Sequence, residues 1–212
     1  MKRTTRTGVQ AWSSQRIGAS IMVTPENLKR SFEAGLSYEA YVGSGSPSQQ
    51  ANWKSSFDRM PALSDAQRSL LASFQREMKV LVISGTWCGD CVQQCPMFPR
   101  FAAASGGRID LKFVDRDVHM DLAQRVMICG GHRVPTVIFM NEEFEFVSIL
   151  GDRTLTRYRV MAAKSLGASC PLPGAPVPPD ELAATMQDWL NEFERVQLVL
   201  RLSPKLRQKH GD

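Results

Sequence analysis

The sequence predicts an α/β protein with a mixed central sheet flanked by helices and with helical extensions at its N- and C-terminal ends. Three observations carry that prediction. Between residues 64 and 166, short apolar runs alternate with stretches of helical spacing, the pattern of a layered α/β core. The last two runs, TVIFM (136–140) and FEFVSIL (144–150), are separated only by Asn141-Glu142-Glu143, so they form an antiparallel hairpin within an otherwise alternating order. Residues 24–63 and 180–200 carry helix starts and helical apolar spacing.

Taken in order, residues 1–23 read as a flexible basic tail. Thr24-Pro25-Glu26 is an N-cap followed by proline at the first helical position, and the helix it opens runs to near Gly35. A short helix holds Tyr38 and Tyr41. GSGSPS (43–48) reads as a flexible loop, followed by a helix from about Gln50 to Arg59. Together these make residues 24–63 a helical N-terminal extension. Ser64-Asp65-Ala66-Gln67 is a capping box, and its helix sets Leu70, Leu71 and Phe74 on one side. KVLVIS (79–84) has the length and β-branched content of a buried strand. A helix is expected from about Asp90 to Ala104, broken by Gly106-Gly107. Ile109, Leu111 and Phe113 alternate as a strand, and residues 119–128 suit a helix. The hairpin follows, then a helix over 154–166, which closes the 64–166 domain. Residues 167–212 comprise the Pro-rich linker PLPGAPVPP (171–179), an amphipathic helix from about Asp180 to Leu200 with Trp189 in its packing stripe, and a basic tail.

The chain has 212 residues and a formal charge of +5. Its length allows one good core plus extensions. The charge is concentrated at the ends: +4 in residues 1–25 and +3 in residues 201–212, leaving −2 for the rest. No folded basic groove is implied and no nucleic-acid motif is present, so nucleic acid is not an expected partner. No apolar run approaches the ~18 residues of a membrane span. The N-terminal stretch has no apolar core of a secretory signal, though its Arg- and Ser-rich composition also fits an organellar transit peptide. The five cysteines are odd in number and clustered, unlike a secreted disulfide framework. A reducing, cytoplasmic setting is expected.

Three of those cysteines lie in GTWCGDCVQQCP (85–96). The C-x-x-C spacing of Cys88 and Cys91 serves either zinc binding or disulfide exchange. Cys88 falls just past a strand, at the start of a helix, where unpaired N–H groups and the dipole favour a thiolate over the ordinary thiol pKa of ~8.5. That makes Cys88 the attacking sulfur. Cys91, one turn on, is placed to resolve the mixed disulfide. Gly89 keeps the approach open and Trp87 forms an apolar lip. The zinc alternative joins Cys88 and Cys91 to Cys129 and His132.

Strand-Trp87-Cys88-Gly89-x-Cys91-helix resembles the thioredoxin family. Arg133-Val134-Pro135-Thr136 resembles that family's cis-proline loop, and Pro96 matches the proline that kinks its active-site helix. The likeness covers residues 64–166. It implies a thioredoxin fold and a protein-disulfide reductase. Pro135 would shape substrate docking, and Val134 would pair its backbone with the substrate chain. It also implies no bound cofactor beyond the Cys88–Cys91 disulfide, disulfide-containing protein substrates, and an upstream reductase. Two departures stand out. Asp90 replaces the usual proline between the cysteines, where it repels a Cys88 thiolate or serves Cys91 as a proton relay. Val82 stands where the family has a buried acid. The hairpin turn also lacks the family's glycine. A non-catalytic interaction module on the same fold is a further reading. A peroxidase is disfavoured, because Gly85 stands where a Thr-x-x-Cys motif needs threonine. Cys95 is expected to be a buried bystander, Cys129 to lead into the loop beside the site, and His119 to start a helix; Cys170 has no assigned role.

Overall fold

The computed structural model describes residues 23–166 and 179–212. Its sheet has four strands: β1 (Met78–Ser84), β2 (Ile109–Asp115), β3 (Thr136–Met140) and β4 (Phe146–Gly151), in the order β2-β1-β3-β4. β1 pairs parallel with β2 and antiparallel with β3, and β3 pairs antiparallel with β4. Every residue of β3, and every residue of β1 except Lys79, is buried. Continuous apolar runs can be hidden on both faces only in the middle of a covered sheet.

Ten α-helices are found among the described residues: α1 (Pro25–Glu33), α2 (Tyr38–Gly43), α3 (Pro47–Arg59), α4 (Asp65–Ala72), α5 (Gly89–Gln94), α6 (Phe98–Ala104), α7 (Met120–Ala123), α8 (Leu155–Ser165), α9 (Glu181–Leu202) and α10 (Pro204–His210). The caps read from sequence at Thr24 and Ser64 accept from backbone N–H groups, and Asp180, the expected start of the last helix, caps it in the same way.

Four local expectations are corrected. GSGSPS is not a loop throughout: Gly43 ends α2 and Pro47 begins α3, because Ser46 and Gln49 form a second capping box. The expected 90–104 helix is two helices joined by a 3-10 turn at Cys95–Met97, where Pro96 supplies no N–H. Residues 119–128 hold only α7 and a 3-10 turn at Gln124–Val126. The second hairpin strand starts at Phe146, since Phe144 turns the chain with φ 62°. A non-glycine residue there takes the left-handed conformation that the missing turn glycine would adopt more cheaply.

The basic C-terminus is also structured. α10 buries Leu206 and brings Lys205 to Glu143 and Glu145, and Lys209 to Glu142 and Glu143. Part of the terminal charge thus neutralises the acidic hairpin turn. The Pro-rich linker, apart from Pro179, lies outside the described residues.

Helices from both ends enter one hydrophobic core with the sheet. From the N-terminal side, Tyr41 stacks on Phe113 of β2 with ring centres 5.4 Å apart. Leu36 exchanges backbone hydrogen bonds of 2.8 and 2.9 Å with Phe113, pairing part of the outer edge of β2. From the C-terminal side, Trp189 meets Phe98 edge-on at 4.8 Å, and Phe193 packs on Phe101 and Phe139 at 5.3 and 5.1 Å. Such aromatic contacts contribute about 0.5–1.5 kcal/mol each beyond burial. Among the described residues, no helix is long and apolar enough to cross a membrane.

Candidate active site

β1 ends at Ser84, and the chain turns through Gly85-Thr86-Trp87 to the N-cap of α5, which is Cys88 itself. Two tryptophans far apart in sequence fasten this junction. Trp53 of α3 donates its indole N–H to the Thr86 carbonyl at 2.9 Å. Trp189 of α9 donates to Oε1 of Gln94 at 3.0 Å. The amide nitrogen of Gln94 in turn reaches the carbonyls of Asp152 at 3.1 Å and Asp90 at 3.3 Å. The loop before Cys88 and the helix after it are therefore each fixed by an indole that is itself buried.

Cys88 is partly exposed and Cys91 wholly buried, and both are free thiols. The Cys88 thiol faces the Val134 carbonyl, Sγ to O 3.5 Å, across a Val134–Pro135 peptide bond that is cis. Val134 and Pro135 are buried. The Thr136 hydroxyl donates to the Arg133 carbonyl at 2.8 Å and holds the loop. Gly151 lies beneath it: a methyl group at that position would come within 2.6 Å of the Pro135 carbonyl oxygen. Trp87 is 49% exposed, and the Arg116 guanidinium covers one face of its ring at 4.5 Å. Gly89 is exposed, with open space where a side chain would stand.

The thiol electrostatics differ from the expectation of a simply lowered Cys88. Its hydrogen bond to the Cys91 thiol and its partial burial push the Cys88 thiol up, against the backbone N–H groups of Cys91 and Asp90, which pull it down. Burial pushes Cys91 well above the ordinary thiol range. The two titrate as a pair. Cys88 alone of the two has both solvent and backbone N–H donors beside it.

Asp90 is not the free carboxylate that the sequence implied. One oxygen is 2.5 Å from the Arg153 guanidinium and the other 2.9 Å from that of Arg157, and its side chain is 15% exposed. Arg153 also pairs with Asp152 at 2.8 Å, and Arg157 with Glu181. Arg133 reaches the same Asp152 carboxylate at 3.3 Å, and Tyr158 donates its hydroxyl to it. Asp90 thus points outward into an arginine clamp formed just before and within α8. Sequence inspection missed both arginines, which flank the Thr154 cap of α8 and carry no motif.

Val82 is fully buried in β1, and Cys95 is fully buried one turn beyond Cys91. Cys129 sits exposed at the tip of the Ile128–Gly131 turn with φ 49°. Among the described residues, no three His, Cys, Asp or Glu side chains converge as a metal would require. Cys129 and His132 therefore do not complete a ligand set with the C-x-x-C pair. His119 caps α7.

The fold has known counterparts. A protein of unknown function from Pseudomonas aeruginosa superimposes with a TM-score of 0.63 at 18% identity, over 82% of this chain and 97% of that one. An HIV epitope-scaffold aligns with a TM-score of 0.54 at 20% identity, over 80% and 92%. At these identities the likeness concerns the fold. No curated protein matches the sequence. The family model described as thioredoxin matches residues 35–164, well over half the chain. With a mixed four-stranded sheet, helices packed around it and a cis-proline loop set against a C-x-x-C helix start, the chain belongs to the thioredoxin family.

Proposed function

We propose that the protein is a thiol-disulfide oxidoreductase that reduces disulfides of proteins or small molecules. The observation that carries this reading is a partly exposed Cys88 thiol at the start of α5, 3.5 Å from the Val134 carbonyl and paired with the buried Cys91 thiol. Cys88 as thiolate attacks one sulfur of a substrate disulfide. The substrate S–S bond breaks, a Cys88–substrate disulfide forms, and the other substrate sulfur leaves and takes up a proton. The Cys91 sulfur then attacks Cys88, forming the Cys88–Cys91 disulfide and releasing the second substrate thiol. Two electrons pass to the substrate, and an upstream reductase returns them. No bound cofactor is needed.

Each neighbouring group has a task in this scheme. The Val134 backbone carbonyl and the cis Pro135 form the wall against which an extended substrate chain docks. Trp87 and exposed Gly89 leave the Cys88 sulfur approachable. Asp90, held by Arg153 and Arg157, fixes the first turn of α5 and carries its charge away from the reacting sulfurs. Reduction of substrate disulfides suits a reducing compartment such as the cytoplasm.

The test is redox titration of the Cys88/Cys91 pair in glutathione buffers, with trapping by Cys91→Ser. A reversible two-electron couple is expected, together with a mixed disulfide at Cys88 that persists in Cys91→Ser. With no couple and no trapped adduct, the reading fails, and the fold serves as a non-catalytic scaffold.

A further inference from the structure

The inner side of Cys91 holds more polarity than an apolar core requires. Ser84, the last residue of β1, is 0% exposed, and its hydroxyl oxygen is 4.0 Å from the Cys95 sulfur. Tyr41 comes from α2, is 1% exposed, and its hydroxyl has no hydrogen-bond partner. One thiol and two hydroxyls are thus enclosed on the inner side of Cys91. Burying a hydroxyl without a partner is costly, so its presence here calls for a use. The residue on β1 two positions before Ser84 is the apolar Val82, and no carboxylate hydrogen-bonds to either thiol.

We propose that the Ser84 hydroxyl, backed by the Tyr41 hydroxyl, stabilises the Cys91 thiolate during resolution of the mixed disulfide. This rests on the oxidoreductase reading above. In that step the Cys91 thiol loses its proton, which ends on the departing substrate sulfur. The Cys91 sulfur bonds to Cys88 as the Cys88–substrate bond breaks, so the two cysteines are oxidised and the substrate sulfur is reduced. While the charge is on Cys91, Ser84 turns its O–H from Cys95 to Cys91, and Tyr41 donates to the freed Ser84 oxygen. The Ser84 hydroxyl acts to lower the Cys91 ionisation, while burial raises that of Tyr41 and keeps its hydroxyl a donor. The titratable groups facing Cys91 are Cys88 and Cys95 from its own segment and Tyr41 from α2; Asp115 of β2 bears on Tyr41. The N-terminal helices thereby supply a group to the chemistry, and Tyr41 acts as a positioning residue through Ser84.

The experiment follows release of thionitrobenzoate from Ellman's reagent by stopped flow, across pH, in a Cys129→Ser/Cys170→Ser background. The first equivalent reports attack by Cys88 and the second reports resolution by Cys91. Ser84→Ala is expected to leave the first phase unchanged and slow the second about tenfold, the worth of one hydrogen bond to a charged sulfur. The pH midpoint of the second phase should rise. Ser84→Thr restores the rate, and Tyr41→Phe, which removes a single oxygen, gives a smaller slowing in the same phase. Tyr41→Phe carries the test should Ser84→Ala not fold. A second phase with unchanged rate and pH midpoint in both variants overturns the inference while leaving the oxidoreductase reading intact. Equal slowing of both phases also overturns it, as the mark of a structural role. Release of only one equivalent by the unmutated pair overturns both.

Discussion

Asp90 and Cys91 are adjacent in sequence, yet they face opposite environments. Asp90 looks outward into an ion-pair cluster with Arg153 and Arg157. Cys91 looks inward at neutral thiols and hydroxyls, with no hydrogen-bonded ion. Compensated charge therefore lies on the outer side of α5 and uncompensated polarity on the inner side. A fixed ion pair tolerates solvent on one flank and holds geometry. A buried neutral network changes its hydrogen bonding as charge appears, which suits a sulfur that is anionic only in passing.

The expected effects of breaking each side fall in order of size. Trp189→Ala removes the indole that bonds Gln94 on the inner side of α5 and vacates a fully buried aromatic site. It should cost about 3–5 kcal/mol in urea unfolding; a cost below about 1 kcal/mol would mean that α9 does not hold α5. Gly151→Ala drives a methyl group against the Pro135 carbonyl. About 1–3 kcal/mol of destabilisation is expected, with weaker substrate docking because the cis-proline loop must shift. On the outer side, Asp90→Asn removes the carboxylate shared by two guanidiniums. It should cost about 1 kcal/mol and lower the Cys88 pKa by leaving positive charge uncompensated, as followed by thiolate ultraviolet absorbance. The resolution phase should not change. If that phase moved instead, the separation of the two sides would collapse.

The smallest effect is at acid pH. Burial alone would raise the Asp152 carboxyl, but the Tyr158 hydroxyl, Arg153 and Arg133 outweigh it and hold it below its ordinary value. A carboxyl lowered by folding contributes stability above its unfolded pKa of ~3.9, and that contribution is lost as pH falls through the folded value. Unfolding midpoints should therefore fall below about pH 4, less steeply in Asp152→Asn. An identical slope in that variant would show that Asp152 is not part of the acid response.

The central strands, the hairpin and most helix caps were legible in the sequence because they depend on near neighbours: an apolar run, a Ser three residues before a Gln. The start of α3 was not, although Ser46 and Gln49 have that same spacing, because the surrounding Gly and Ser residues read as a loop. α10 was obscured by its charge, which the hairpin acids neutralise only after folding. For the site, C-x-x-C and the Val134-Pro135 loop were visible as motifs. The partners of Asp90 lie 63 and 67 residues away, and Tyr41 approaches Ser84 from a helix outside the segment that carries the motif. Spacing within a motif does not encode which distant side chain closes on it.

The two tryptophan anchors separate the unit of likeness from the unit of folding. The family match spans residues 35–164, and Trp189 lies beyond it. A fragment trimmed to the matched segment would keep Cys88 and Cys91 and still be a different molecule. Phe98, Phe101 and Phe139 would lose their aromatic cover, and Gln94 would lose its indole donor. Such a fragment would present a wet, sticky flank beside its active-site helix. Anyone transplanting this C-x-x-C segment into another scaffold must carry the C-terminal helix along, as cargo that no motif would have flagged.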